Sequence, residues 1–187
     1  MFVVLIAVTS LDGRITRPGE SGPGFASAED QHWFREVLRE FDCSVMGRTT
    51  FDTIRDHVAA ETARRRPRFV LTREPARHAA DAVPGVVEFT DAPVSALVAD
   101  LRARGFRKCA LLGGGQVYRL FLDAGLVDTA WLTVEPLFLG GGTPLVEGVV
   151  SLEHGRFMLE EMRLLSPATL LLNYRRPDRP PLRLPNL

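Results

Sequence analysis

Two segments of the sequence each consist of an apolar run that stops at glycine and continues into an amphipathic stretch. The first covers residues 45–51 and the second covers residues 111–118. This order is typical of a strand that brings backbone N–H groups, and the positive end of a following helix, to a phosphate group. One such glycine cluster alone would indicate only a tight turn with a helix cap. Two of them in one chain favour a site for an extended nucleotide that is held at two points.

Neither segment matches the usual dinucleotide-binding pattern G-x-G-x-x-G. The glycines at 113–115 are followed by Gln116, Val117 and Tyr118, so the last glycine of the pattern is missing. The sequence therefore disfavours a standard Rossmann domain.

The composition is that of an ordinary globular domain. With 187 residues, of which 45% are hydrophobic and 25% charged, the chain can build one core without disulfide bonds. The 23 basic residues balance the 23 acidic ones, so no overall electrostatic field attracts nucleic acid or an anionic membrane. Any anion must therefore be bound by a local group of residues.

The first apolar run and the two cysteines bear on the cellular compartment. Residues 2–8 are too few for a signal-peptide core, lack a basic flank and lead into Thr9 and Ser10, so they predict a strand. No later run is long enough to span a bilayer. Cys43 and Cys109 are isolated, which excludes a C-x-x-C pair or a zinc site and favours buried thiols. We therefore predict a cytoplasmic protein with no metal site.

The hydrophobic periodicity predicts strands that alternate with helices. Predicted strands cover residues 2–8, 43–46, 69–71, 86–89, 108–112 and 129–135, and predicted helices cover residues 28–40, 51–58, 94–104 and 116–124. This order predicts an α/β fold with a mostly parallel sheet that helices cover on both faces. Residues 156–165 and 168–174 predict an antiparallel hairpin at one edge. We expect one domain over residues 1–176, followed by an irregular proline-rich tail at residues 177–187.

The first predicted helix has a clear start signal. Ser27 is a good N-cap residue, and Asp30 occupies the third helical position, where an acidic residue can close a capping box. Trp33 and Phe34 follow one turn later and predict an apolar wall beside Asp30.

Several motifs recur in an order that carries a resemblance. They are Ala7, Asp30 before Trp33-Phe34, residues 45–50, Leu71-Thr72-Arg73, residues 112–118 and Leu132-Thr133. In this order they resemble the dihydrofolate reductases over nearly the whole chain. Residues 10–15 and 135–145 are more similar to the reductase domain of riboflavin biosynthesis, the C-terminal part of a bacterial bifunctional deaminase-reductase. The His-x-Glu and Pro-Cys-x-x-Cys motifs of the deaminase part are absent from the sequence.

The resemblance implies a fold, a cofactor and a class of substrate. The fold would be a three-layer α/β/α domain of the dihydrofolate reductase type, with NADPH across the carboxyl ends of the strands. The leading substrate is 5-amino-6-(5-phosphoribosylamino)uracil, and the alternative is dihydrofolate, although the loop after the first strand lacks Trp-x-Leu-Pro. An alternative of another class is a sensor that binds NADPH without turnover. The resemblance also allows a homodimer.

The resemblance also implies which residues bind the cofactor. They are Ala7 and Ile15 at the nicotinamide, Gly47, Arg48, Thr49, Thr50, Thr72 and Arg73 at the phosphates, and Gly113, Gly114, Gly115, Gln116, Val117 and Tyr118 at the second glycine segment. Arg48 and Arg73 would hold the 2′-phosphate, because guanidinium groups suit phosphate. Residues 64–66 and Arg68 are further arginines that compete with Arg73 for this role. The resemblance implies a cis peptide bond between Gly113 and Gly114.

Asp30 is the predicted catalytic residue. In an apolar cleft its pKa would rise, which suits a proton donor near neutral pH, although a helix cap is an equally simple role for it. Asp12, Asp30, Phe34 and Thr133 are the predicted substrate-binding residues. Asp12 could instead form an Asp-Gly turn, and Thr133 could simply be a β-branched strand residue.

Overall fold

A computed structural model describes residues 1–60 and 66–186, with the side chains of residues 56–60 left undescribed. The strands are β1 (Phe2–Ser10), β2 (Cys43–Gly47), β3 (Arg68–Leu71), β4 (Val87–Thr90), β5 (Lys108–Leu111), β6 (Thr129–Glu135), β7 (Met158–Leu164) and β8 (Leu170–Arg175). The α-helices are α1 (Ala28–Val37), α2 (Arg48–Ala60), α3 (Val94–Ala103) and α4 (Gly115–Asp123). Short 3-10 turns follow α1 at Leu38–Glu40 and β3 at Pro75–His78.

The strands form one eight-stranded sheet in the order β4-β3-β2-β5-β1-β6-β8-β7. Pairing is parallel from β4 across to β6, whereas β8 runs antiparallel to β6 and β7 antiparallel to β8. The predicted fold class is therefore confirmed, including the C-terminal hairpin. Most predicted bounds lie within a few residues of the observed ones. The helix predicted at residues 51–58 is longer and begins at Arg48, directly at the glycine that ends β2.

The central strand β1 shows why the sheet is covered on both faces. Val3 and Leu5 belong to the core cluster that contains α3 and α4, whereas Val4 and Ile6 pack with Trp33 of α1. Successive side chains of a strand point to opposite faces, so a strand buried on both sides reads as a continuous apolar run. This burial fixes the central strands, whose carboxyl ends support the site.

Two details modify the sequence-based expectations. Cys43 and Cys109 are far apart in the sequence but are register partners on β2 and β5, and both are fully buried free thiols. Residues 177–186 have no regular secondary structure, yet Leu184 is buried in the cluster of Trp131 on the α1 face. The tail thus covers part of the sheet. Within the described ranges, no helix is both long and apolar enough to cross a membrane.

Candidate active site

A cleft of about 1580 Å³ lies at the carboxyl ends of the parallel strands and continues beneath α1. All the residues predicted to bind cofactor or substrate line this cleft, except Gly113 and Asp12. The sheet topology therefore brings together side chains from the two glycine segments, from β1 and from α1. These elements are distant in sequence, and they meet because parallel strands place their carboxyl ends on one edge.

The two glycine segments meet where β2 and β5 end. The N–H group of Gly47 donates to the carbonyl oxygen of Gly113 at 2.6 Å. Gly113 has φ +87°, and a Cβ atom there would lie 2.7 Å from the ring of Tyr118. The Tyr118 hydroxyl in turn donates to the carbonyl oxygen of Ile6 on β1 at 2.7 Å. Gly113 and Tyr118 thus shape the turn that supports the cleft, and the Gly113–Gly114 peptide bond is cis, as predicted.

Gly114 and Gly115 differ in what surrounds them. A Cβ atom on Gly114 would make only ordinary contacts, 3.6 Å from Thr50 Oγ1 and 3.9 Å from Ile15 Cδ1. A Cβ atom on Gly115 would lie 2.6 Å from the backbone oxygen of Pro144. Gly115 also begins α4, so its end of the cleft presents backbone N–H groups at a helix N-terminus. This cradle fits a pyrophosphate.

Exposed guanidinium groups lie at the ends of β2 and β3. Arg48 is the first residue of α2, and its side chain is 46% exposed and forms an ion pair with Asp52. Arg73 follows β3, is exposed, and has no ion-pair partner among the residues that the structure describes. Both line the cleft, together with Thr49 and Thr72. Of the competing arginines, those at positions 64 and 65 lie outside the described residues.

Asp12 has a structural role in this fold. Its carboxylate accepts hydrogen bonds from Ser10 Oγ at 2.6 Å, from the Leu139 N–H group at 3.0 Å and from the Gly140 N–H group at 2.8 Å. The Ser10 hydroxyl and these N–H groups lower the pKa of Asp12 to about 2. The carboxylate thus ties the turn after β1 to the glycine-rich loop after β6, and it lies outside the cleft lining. Its role in substrate binding stays a prediction.

Asp30 lies in the first turn of α1 and is only 5% exposed. The N-cap prediction for Ser27 is confirmed, because its Oγ accepts from the Asp30 N–H group at 3.2 Å. The expected capping box is wrong, however. The N–H group of Ser27 donates to Glu135 Oε1 at 2.9 Å, not to the carboxylate of Asp30. A buried acid from β6 has taken this position, so the Asp30 carboxyl group remains directed to the cleft.

The surroundings of Asp30 favour its protonated form. Burial raises its pKa to about 6, and the nearby charge of Glu135 adds to the rise, whereas the Thr133 hydroxyl opposes it. Trp33 Nε1 is a buried polar atom that has no hydrogen-bond partner within the described structure. Trp33 and Thr133 both line the cleft, as Asp30 does. Buried polar groups usually have partners, so the Trp33 N–H group is suited to donate to a ligand.

Beyond Asp30 the cleft has an apolar stretch and then a basic one. Phe34, Leu38, Phe41 and Met46 contribute apolar surface. The guanidinium-bearing residues at this end are Arg35, Arg39, Arg66 and Arg68. Sequence analysis missed this grouping because these arginines come from α1, the turn after it, the segment before β3 and β3 itself, and their charges are balanced over the whole chain.

Glu135 is the other residue that sequence analysis missed as part of the site. It lies two residues after Thr133 on β6 and is 3% exposed. Residues two apart on a strand share a face, so a carboxylate on the same face as Thr133 was a signal for its position.

Comparison with known proteins agrees with this geometry. Residues 1–171 match the family described as the RibD C-terminal domain. A putative riboflavin biosynthesis protein from Shewanella sp. PV-4 is 26% identical, with a TM-score of 0.70 over 94% of this chain and 99% of that chain. A Thermotoga maritima protein named as a diaminohydroxyphosphoribosylaminopyrimidine deaminase/5-amino-6-(5-phosphoribosylamino)uracil reductase is 18% identical. Its TM-score is 0.74 over 93% of this chain and 56% of that chain.

A dihydrofolate reductase from Enterococcus faecalis, complexed with NADP(H), has the same fold at 19% identity, with a TM-score of 0.68 over 95% of this chain and 97% of that one. No curated protein matches the sequence. The match to the family extends over nearly all of the strands and helices described above. This chain belongs to the RibD C-terminal domain family.

Proposed function

We propose that this protein is an NADPH-dependent reductase whose substrate is 5-amino-6-(5-phosphoribosylamino)uracil or a close relative. The observation that carries the proposal is the position of Asp30. It is a buried carboxyl group in the same cleft whose other end is formed by the two glycine segments. Such a cleft can place a hydride donor and a proton donor next to the same substrate.

The cofactor end of the cleft suits NADPH. The space beside Gly114 and the N-terminus of α4 would receive the pyrophosphate, and Arg48 and Arg73 would receive the 2′-phosphate. Ala7 and Ile15 would form the apolar wall at the nicotinamide. When bound, NADPH supplies the hydride that reduces C1′ of the ring-opened sugar.

Asp30 would supply the proton for the same reduction. The ring-opened form of the substrate has a C1′=N bond, so reduction adds a hydride to carbon and a proton to nitrogen. With a pKa of about 6, the Asp30 carboxyl group carries a proton in a useful fraction of molecules near neutral pH. The protonated form could donate directly or through a water molecule, and the Thr133 hydroxyl would orient the ring.

The basic end of the cleft supports a phosphorylated substrate. Arg35, Arg39, Arg66 and Arg68 line it. Guanidinium groups bind phosphate well, and Arg35 and Arg39 follow Phe34 along α1 and the turn after it. We therefore place the ribose phosphate of the pyrimidine there. The relative from Thermotoga maritima, named as a reductase of this compound, supports the same substrate class.

One observation favours dihydrofolate as a second candidate. Asp30, Trp33 and Phe34 form a buried acid with an aromatic wall, which is the arrangement that the resemblance to dihydrofolate reductases implies for a pterin. The apolar stretch from Phe34 to Phe41 would accept the rest of that molecule, and the arginines would accept its carboxylates.

Binding and turnover together test these proposals. NADPH is titrated first, and each candidate substrate is then added while oxidation is followed at the nicotinamide absorbance. Oxidation with the pyrimidine supports the proposal, and oxidation with dihydrofolate alone overturns the substrate. Tight NADPH binding without oxidation on either compound would support the sensor. Homodimer formation and a cytoplasmic location stay predictions, and sedimentation of the purified protein would test the first.

A further inference from the structure

Glu135 is a buried acid that the proposed reaction does not itself require. It ends β6, and both of its carboxylate oxygens are bound by groups from other elements. Oε1 accepts from the Ser27 N–H group at 2.9 Å, and Oε2 accepts from Thr169 Oγ1 at 3.1 Å. Ser27 Oγ and Thr169 Oγ1 are themselves 3.2 Å apart. The start of α1, the end of β6 and the residue before β8 are thus joined at this carboxylate.

This network changes what Asp30 does at the helix end. In a capping box the acid at the third helical position accepts from the backbone N–H group of the N-cap residue. Here Glu135 accepts from that N–H group of Ser27, so Asp30 is not needed for it. The carboxyl group of Asp30 can therefore lie against Thr133, in the cleft, without leaving a helix N–H group unsatisfied.

We propose that Glu135 is a positioning residue for Asp30: it caps α1 in place of Asp30 and, through its negative charge, favours the proton-carrying form of Asp30. Two carboxylates close together in a buried site cannot both ionise freely. The catalytic consequence rests on the proposed function, whereas the effect on the titration of Asp30 does not.

The other charged groups near Asp30 are poorly placed to have this effect. Glu29 and His32, on the same helix, are exposed. Arg17 and Glu20, in the loop before α1, form an exposed ion pair at 3.8 Å and largely offset each other. The remaining residues of β6, and all residues of β1, are uncharged. Burial is the larger cause of the raised pKa of Asp30, and Glu135 is the charged group that adds to it.

The test is the variant Glu135→Gln, studied in the full-length protein without substrate. A glutamine has the same shape, its amide oxygen can accept from Ser27, and its amide nitrogen can donate to the Thr169 hydroxyl, so the fold should persist. The carboxyl signal of Asp30 is followed by carbon NMR against pH, with Asp30→Asn identifying the signal. We expect the midpoint to fall by a fraction of a pH unit, roughly 0.5, towards the ordinary value for aspartate, because burial remains the larger cause of the rise. An unchanged midpoint would overturn the proposal.

Ser27→Ala is the matched control. It removes the hydroxyl that accepts from the Asp30 N–H group but keeps the Ser27 N–H group that Glu135 binds. We expect a lower unfolding temperature and an unchanged Asp30 midpoint. If this variant shifts the midpoint as far as Glu135→Gln does, the shift reflects a disturbed helix end and the proposal fails.

The pH profile of turnover then separates this proposal from the proposed function. Glu135→Gln should move the loss of turnover at high pH to a lower pH by the same interval as the NMR midpoint. A wild-type protein that reduces neither substrate would reject the proposed function, while the NMR titration would still decide the role of Glu135.

Discussion

Two parts of the site are built in different ways: the cofactor end of the cleft, and the surroundings of Asp30 and Glu135, which we call the acid end. The cofactor end consists mainly of backbone at Gly47, Gly114 and Gly115, and its cation Arg48 is 46% exposed. The acid end consists of side chains, with Asp30 and Glu135 exposed by only 5% and 3%. Its central hydrogen bond joins Ser27 and Glu135 across 108 positions in the sequence. The first end depends on local conformation, and the second depends on tertiary packing.

This difference determines how each end responds to substitution. Exposed charges are screened by water and salt, so each contributes little, whereas buried charges act strongly on their neighbours. At the cofactor end we therefore expect steric changes in the backbone to matter more than single charges. At the acid end we expect a change of one charge to have large effects.

Substitution of Asp30 should have the largest effect and is the strongest test of the difference between the cofactor end and the acid end. Asp30→Asn should lower turnover by about 10²–10⁴ at neutral pH, because the positioned proton donor is lost. The affinity for NADPH should stay the same, since Asp30 lies at the other end of the cleft from the glycine segments. Turnover numbers and a fluorescence titration with NADPH measure the two quantities. The loss should shrink at low pH, where solvent can protonate the substrate. Full activity from pH 5 to 8 would mean that Asp30 is not the proton donor.

The pH dependence of stability is the next test. The pKa of Asp30 is about 6 in the folded protein and near 3.8 when unfolded, so the folded state holds its proton more tightly. This contribution is fully present below pH 3.8 and is lost as the pH rises through 6, at a cost of about 3 kcal/mol. Denaturant unfolding of the wild type and Asp30→Asn between pH 4 and 7 measures it. The variant should lack this decline, and parallel curves would contradict the assignment.

Asp12 should act in the opposite direction. Its pKa is lowered to about 2, so its contribution is present above pH 3.8 and is lost as the pH falls through 2. The two aspartates thus affect stability in different pH ranges. Asp12→Asn serves as a control that should leave the decline in stability between pH 4 and 7 unchanged.

The same contrast explains what the sequence could reveal. The strand–glycine–helix form of the two glycine segments, the succession of strands and helices along the chain and the N-cap at Ser27 depend on short stretches, and the structure confirms all three. The sequence predicts the start of α2 too late because Arg48 and the two threonines after it have no apolar periodicity, although the glycine before them ends the strand. The strand period places Glu135 on the same face as Thr133, but its contact with Ser27 spans 108 positions and depends on tertiary packing. The grouping of arginines in the cleft also depends on which elements become neighbours, and no local pattern encodes that.

Gly114→Ala should weaken NADPH binding by about 10- to 100-fold, because an added methyl group would cost about 1–3 kcal/mol where the pyrophosphate approaches. Folding should be nearly unaffected, since a Cβ atom there lies no closer than 3.6 Å to any neighbour. Calorimetric binding and thermal unfolding measure the two effects. Gly113→Ala is the contrasting variant, in which the Tyr118 ring at 2.7 Å should cause loss of stability. Normal NADPH affinity in Gly114→Ala would show that the pyrophosphate does not bind beside Gly114.

The smallest effect is expected from the exposed cation. A charge-assisted hydrogen bond to phosphate can contribute about 1.5–3 kcal/mol, but exposure and the ion pair with Asp52 reduce this for Arg48. Arg48→Ala should therefore weaken NADPH binding by about tenfold and NADH binding much less, because only NADPH carries the 2′-phosphate. Arg55→Ala is the matched control, since Arg55 also pairs with Asp52, at 2.8 Å, but lies outside the cleft lining. Arg55→Ala should leave both affinities unchanged. Equal losses for NADPH and NADH in Arg48→Ala would show that Arg48 does not bind the 2′-phosphate. Arg73 would then be the candidate for that contact.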